Sequence, residues 1–334
     1  LPKIRALIQE ATLDAPLANS LTMRSEGSVL VYGLDETTLE IAKQISNRLN
    51  VTCLFKTSKD IQPPRLMDVP IFVGRIKSAT GHLGAYEVVV DDYAAIQVSS
   101  RGGFEIGNKN KDVSINFDLI LDLSNGEPLF PAPEKRDGYF HIETSNAASV
   151  QKALFEIVDL VGEFEKPRYI KYDANICVHA RSSQVGCTRC LDVCPTSAIT
   201  PAQDEVKIDP YICAGCGSCA SVCPTGAVSY QLPAGNFVFE RVKLLLDSYR
   251  EAGGNKPILL LHDTQHGEEM MSAMAHLGRG LPANVLPFAI NEVTQIGFDF
   301  FAAALAFGAD AIKILLGPAN FGETTGLESQ IESA

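Results

Sequence analysis

Residues 177–224 read CVHARSSQVGCTRCLDVCPTSAITPAQDEVKIDPYICAGCGSCASVCP, and eight of the nine cysteines of the chain lie within them. Cys213, Cys216, Cys219 and Cys223 are separated by two, two and three residues, and Pro224 follows the last. A shift of 29 residues lays Cys187, Cys190, Cys194, Pro195, Thr196 and Ala198 on Cys216, Cys219, Cys223, Pro224, Thr225 and Ala227, so the stretch is a duplication. The same shift places Cys213 on Gln184. The first half has lost its leading cysteine, and Cys177 is the nearby thiol able to replace it.

The spacing has a chemical reason. Three thiolates two residues apart wrap one iron–sulfur cube from a single tight loop, while the fourth, carried off on the following turn, reaches a different cube. Two such runs exchange ligands. The expectation is two [4Fe–4S] clusters, one on Cys213, Cys216, Cys219 and Cys194 and the other on Cys177, Cys187, Cys190 and Cys223. Without Cys177 the second set would hold three irons, or four with a labile or non-cysteine ligand such as His179. Gly215, Gly217, Ala214, Ser218 and Ala220 are small enough to let backbone N–H groups point at sulfur. The competing uses are tetrahedral zinc sites and clusters that only hold the fold.

From about Tyr169 to Gln231 the chain resembles the bacterial two-cluster ferredoxin family, with a displaced first cysteine. The resemblance implies one-electron transfer between partners, with no substrate chemistry at the clusters and no catalytic residues.

Composition narrows the class. The 334 residues suffice for two or three domains. A formal charge of −12 argues against a nucleic-acid footprint and favours neutral or basic protein partners. Cysteines in cluster spacing, rather than disulfide spacing, point to a reducing compartment. The first 20 residues lack the apolar core of a signal peptide, and the longest apolar run, 300–309, is too short to span a bilayer. A cytoplasmic protein without membrane insertion is expected, and the chain, which lacks an initiator Met, is expected to be a piece of something longer.

Outward from the cysteines, the reading is α/β on both sides: an N-terminal extension at 1–27, an α/β domain at 28–166, a two-cluster ferredoxin domain at 167–235 inserted before a small parallel-sheet α/β domain at 236–334. SVLVYG (28–33), a helix over 38–49 capped by Thr37 and Glu40, and VTCLFK (51–56) form a βαβ unit. Its turn, GLDETT, departs from the GxGxxG of dinucleotide sites, and Asp35 and Glu36 would face the pyrophosphate. Cys53 is expected in the core. Residues 70–99 predict antiparallel strands broken at Gly81 and Gly84, 117–123 a buried strand and 147–161 a helix. GRIKSATGHLGAYEVVV (74–90) is similar to a stretch ahead of the ferredoxin motifs in the large, flavin-carrying subunit of heterodisulfide reductase.

After Phe237, helices at 238–251, 267–277 and 294–307 alternate with strands at 257–261, 284–289 and 311–316. FGADAIKILLG (307–317) resembles the delta subunit of methyl-viologen-reducing hydrogenase, whose [2Fe–2S] cysteines are absent here. His262, Asp263 and His266 follow a strand as candidate metal ligands, and GPANFGETTG (317–326) is a candidate anion loop. The function expected is electron transfer between redox proteins, as a carrier or as a subunit of a larger oxidoreductase. The alternatives are an oxidoreductase with its own flavin or nucleotide site, and an accessory protein of a redox enzyme such as formate dehydrogenase.

Overall fold

The computed structural model describes residues 1–57, 69–98, 104–181, 184–320 and 323–334. The end of the predicted β-rich stretch at Ser99, the tip of VHARSSQVG (178–186), an insertion between Cys177 and Cys187, and the middle of the 317–326 loop lie outside them. The chain forms two compact units, 21–166 and 1–20 with 167–334, each described by itself.

In the first unit a sheet of eight strands is built on five parallel ones. In spatial order these are Ile71–Thr80, Asn50–Phe55, Ser28–Gly33, Leu119–Leu123 and Tyr139–His141. Counted along the chain, that order is third, second, first, fourth, fifth, the arrangement of a doubly wound nucleotide fold. Ser28–Gly33 and Leu119–Leu123 are almost wholly buried, as strands covered on both faces must be. Ile71–Thr80 turns through Gly81 and Gly84 into Tyr86–Val98, which pairs antiparallel with it and with Val113–Phe117 and Phe104–Ile106. One face of the sheet carries Leu30, Tyr32, Leu54, Tyr86, Val88 and Ile120 in a single core.

The turn after the first strand differs in detail from the sequence reading. The helix is Glu36–Ile45 and its N-cap is Asp35, whose Oδ1 accepts from the backbone N–H of Thr38 at 3.3 Å, in place of the expected Thr37/Glu40 capping box. Gly33 is needed because Thr38 lies against it: a Cβ there would sit 2.1 Å from Thr38 Oγ1. Cys53 is buried within its strand, and burial pushes its thiol up to about 12.

In the second unit, Ile170–Tyr172 pairs antiparallel with Val228–Tyr230, and Ile199–Ala202 with Glu205–Ile208. Two one-turn helices, Arg189–Asp192 and Ser218–Ser221, carry the middle of each cysteine run. Beyond them, Ile258–Asp263 lies between Val285–Ile290 and Ala311–Ile314 in a parallel sheet. Helices Gly235–Glu251, His266–Leu277, Phe298–Ala306 and Thr325–Glu332 surround it. Helix Pro2–Glu10 also belongs here. Its Ala6 is fully buried among Val242, Leu245 and Leu246, and Glu10 accepts from Arg241 Nε at 2.7 Å. Nothing in its composition announced that packing, because a short helix with one buried alanine has little periodicity to read.

Gly84 should be the least replaceable residue of the first unit's turn region. It has φ +82°, and a Cβ would fall 1.9 Å from the carbonyl oxygen of Arg24. Gly84→Ala is expected to cost well over about 1 kcal/mol, read as a lower urea midpoint. Gly126→Ala, whose Cβ meets nothing nearer than 3.5 Å, should stay within about 0.5 kcal/mol of the parent.

Candidate metal centre

The strand pair Ile170–Tyr172 and Val228–Tyr230 brings the two ends of the cysteine-bearing segment together and aims three groups at the cysteine loops. The Tyr172 hydroxyl neighbours the Cys177 thiol, and its oxygen accepts from the N–H of Val206 at 3.3 Å. Burial and that contact push Tyr172 up to about 12. The N–H of Val228 donates to Cys223 Sγ at 3.4 Å. The buried hydroxyl of Tyr230 donates to the carbonyl of Gly215 at 2.6 Å.

The duplication is visible in the hydrogen bonds. Thr196 Oγ1 lies 3.9 Å from Cys194 Sγ, and Thr225 Oγ1 lies 3.8 Å from Cys223 Sγ. The repeated Cys-Pro-Thr therefore sets a hydroxyl beside the last sulfur of each run. Gly215 and Gly217 have φ +77° and +79°, the left-handed turn that small residues allow. Gly217 is also demanded by space, since a Cβ there would lie 2.4 Å from that of Gln295.

The electrostatics separate the thiols by neighbourhood. Cys190 is pushed up to about 11, first by burial and then by the charges of Cys187, Cys223 and Cys177. Cys219, 7% exposed, is raised by burial and then by Cys216, Cys213, Cys194 and, last, Cys190. Cys223 moves down: burial would raise it, but the N–H groups of Val228, Thr225 and Ala227 and the Thr225 hydroxyl outweigh burial. A small cavity is lined by Cys177, Cys187, Cys190 and Cys223 together with His179 and Arg189. The donor set fits iron–sulfur clusters: soft thiols gathered along one segment, with N–H and O–H donors already turned on sulfur.

His179 is 4% exposed, and its Nδ1 donates to the carbonyl of Cys187 at 2.8 Å. That carbonyl bond, with no signature in the sequence, ties down the insertion. Ala180–Arg181 and Gln184–Val185 pair as a minimal hairpin above it.

The other candidates are placed differently. His262 Nδ1 meets the carbonyl of Asp263 at 2.9 Å, and Asp263 Oδ1 accepts from the N–H groups of Gln265 and Gly267. Asp263 thus holds the start of the following helix. Among the described residues no three His, Cys, Asp or Glu side chains converge as for a single metal ion. Two residues that the sequence reading passed over, Asn291 and Thr294, touch the cysteine loop through Tyr230 and through the carbonyl of Cys216. Asn291 follows the predicted strand at 284–289 and Thr294 opens the predicted helix at 294–307, and neither place carries a signal of this contact.

Residues 185–227 match the family described as 4Fe-4S dicluster domain. No curated protein matches the chain. The match supports an iron–sulfur, ferredoxin-like domain over this segment, and with it an electron-transfer role; Cys177 and residues 178–184 lie ahead of it. No helix among the described residues is long and apolar enough to cross a membrane.

The thiol environments set an order of reactivity. In iron-free protein at pH 8, iodoacetamide should label Cys190 roughly ten-fold or more slowly than Cys223, because rate follows the thiolate fraction. Cys219 should be among the last. Peptide mapping after timed quenching checks the order.

Proposed function

We propose that this chain passes single electrons between redox protein partners through two [4Fe–4S] clusters, one held by Cys177, Cys187, Cys190 and Cys223, the other by Cys213, Cys216, Cys219 and Cys194. The observation that carries this reading is the small cavity that Cys177, Cys187, Cys190 and Cys223 line together, a set that takes its members from both halves of the duplication. Burial first, and then neighbouring thiols, raise Cys190 and Cys219, with Cys187, Cys223 and Cys177 beside the one and Cys216, Cys213 and Cys194 beside the other. Bound clusters supply reversible one-electron chemistry. The protein's own part is to hold eight thiolates, to offset charge on sulfur with the N–H of Val228 and the hydroxyls of Tyr172, Thr196 and Thr225, and to shield the sulfurs with Ile199, Val206 and Val228. Cys177 is the fourth ligand of the first set, and His179, its Nδ1 spent on a carbonyl, serves the loop.

A flavin or nucleotide in the first unit is the second reading, favoured by the strand order of the sheet. Against it stands Asp35. Its carboxylate occupies the helix N-terminus, the position where that fold receives a pyrophosphate, and adds a negative charge there. The carrier reading, within a larger oxidoreductase complex or apart from one, is therefore preferred. The ferredoxin-type domain at 167–235 and the α/β regions on either side divide that work, the clusters carrying the electron and the flanks selecting donor and acceptor.

Anaerobically purified protein should contain about eight irons and eight acid-labile sulfides per chain, with spin-coupled EPR signals after dithionite reduction. Cys177→Ser should lose one signal of the coupled pair. An oxidised three-iron signal in the parent would remove Cys177 from the ligand set, and protein without iron after reconstitution would defeat the cluster reading.

A further inference from the structure

The duplication allows the two cysteine loops to be compared atom by atom. Shifted by 29 residues, Cys187 falls on Cys216. In both loops the carbonyl of this cysteine is taken by a buried donor. His179 Nδ1 donates to the carbonyl of Cys187 at 2.8 Å, and the Thr294 hydroxyl donates to that of Cys216 at 2.6 Å. The donors are 4% and 1% exposed. They come from unrelated places, His179 from the insertion ahead of the first run and Thr294 from the small parallel-sheet region. Two different devices thus make the same bond at equivalent positions.

A trans peptide points its N–H opposite to its C=O. With the Cys216 carbonyl fixed on Thr294, the N–H of Gly217 is turned away from Thr294. With the Cys187 carbonyl fixed on His179, the N–H of Thr188 is turned the same way in the other loop. The neighbouring peptide is held likewise: Tyr230 takes the Gly215 carbonyl, and Asn291 Nδ2 donates to the Tyr230 oxygen at 2.7 Å. The segment that supplies Thr294 is itself rigid. The Glu292 side chain accepts from the N–H of Gln295, and the Gln295 side chain accepts from the N–H of Glu292.

We propose that His179 and Thr294 are equivalent positioning residues, each clamping the peptide that follows its cysteine so that an N–H is presented to one cluster and raises that cluster's reduction potential. The proposal rests on the two-cluster reading above. It gives the insertion and the segment 291–295 a shared task. N–H groups held toward cluster sulfur stabilise the more negative, reduced state, so a loosened clamp lowers the potential.

The test is a potentiometric titration followed by EPR on the holoprotein carrying Thr294→Val, Thr294→Ser, His179→Ala or the Val/Ala pair. Iron and sulfide are counted first, and a parent without iron fails the two-cluster reading, on which this proposal stands. With iron present, Thr294→Val should move one cluster to more negative potential and leave the other in place, Thr294→Ser should restore the parent value, and His179→Ala should move the other cluster. The double variant should show both shifts. Unchanged potentials in loaded Thr294→Val and His179→Ala would overturn the proposal, as would movement of the same cluster by both. Should Thr294→Val fail to retain its cluster, retention in Thr294→Ser supports the clamp, and loss in both variants overturns it.

Discussion

The pairing of Ile170–Tyr172 with Val228–Tyr230 is the interaction on which the centre depends. A crossed ligand set needs the last cysteine of each run beside the first three of the other, and a chain meets that demand only if the ends of the segment are brought together. Each strand then does further work. Tyr172 sets a hydroxyl beside Cys177, Val228 supplies an N–H to Cys223, and Tyr230 a hydroxyl to the Gly215 carbonyl. The core beneath has Ile199, Val206, Cys219 and Val228 as its buried members, with nine partly buried positions, three of them cysteines, packed on them.

The legibility of the sequence followed the strength of the local chemistry. The cysteine spacing named the ligands' neighbourhood because thiolate geometry around a cube fixes the interval between residues. Strands such as Ser28–Gly33 and Leu119–Leu123 were readable because burial on both faces forces unbroken apolar runs. Less could be read where a residue acts across the chain. Thr294 lies 78 residues from the carbonyl it holds, and a threonine in a helix-like stretch carries no mark of that partner. The expected helix over 294–307 in fact begins at Phe298, because Val293–Gln295 closes on itself as a separate turn and Gly297 restarts the chain. His179 was visible as a residue but not in its role, since a ring nitrogen can ligate metal or hold a carbonyl with equal ease.

In the first unit, strand order and turn chemistry point in different directions. Its strand order is that of a nucleotide-binding sheet, yet the turn where such a sheet receives phosphate contains its own carboxylate. Asp35 gives the helix a neutralising cap from within, and Thr38 fills the space against Gly33 that a close backbone approach would use. The glycine that remains is there for packing. A turn that caps itself is stable without a ligand.

Charge is distributed in a way that bears on partner choice. The chain as a whole carries −12, but residues 167–235 contain five basic and five acidic side chains and are formally neutral. The repulsion that keeps an acidic protein apart from acidic neighbours therefore originates outside the cysteine-bearing segment. Near that segment short-range contact decides, because exposed charges more than about 10 Å away are largely screened at ordinary ionic strength. Ile176 and Val178 flank Cys177 in the chain and Val185 lies in the short strand pair that follows, and each is 46% exposed or more. The stretch between Cys177 and Cys187 therefore presents aliphatic side chains to solvent, where the segment as a whole has balanced charge.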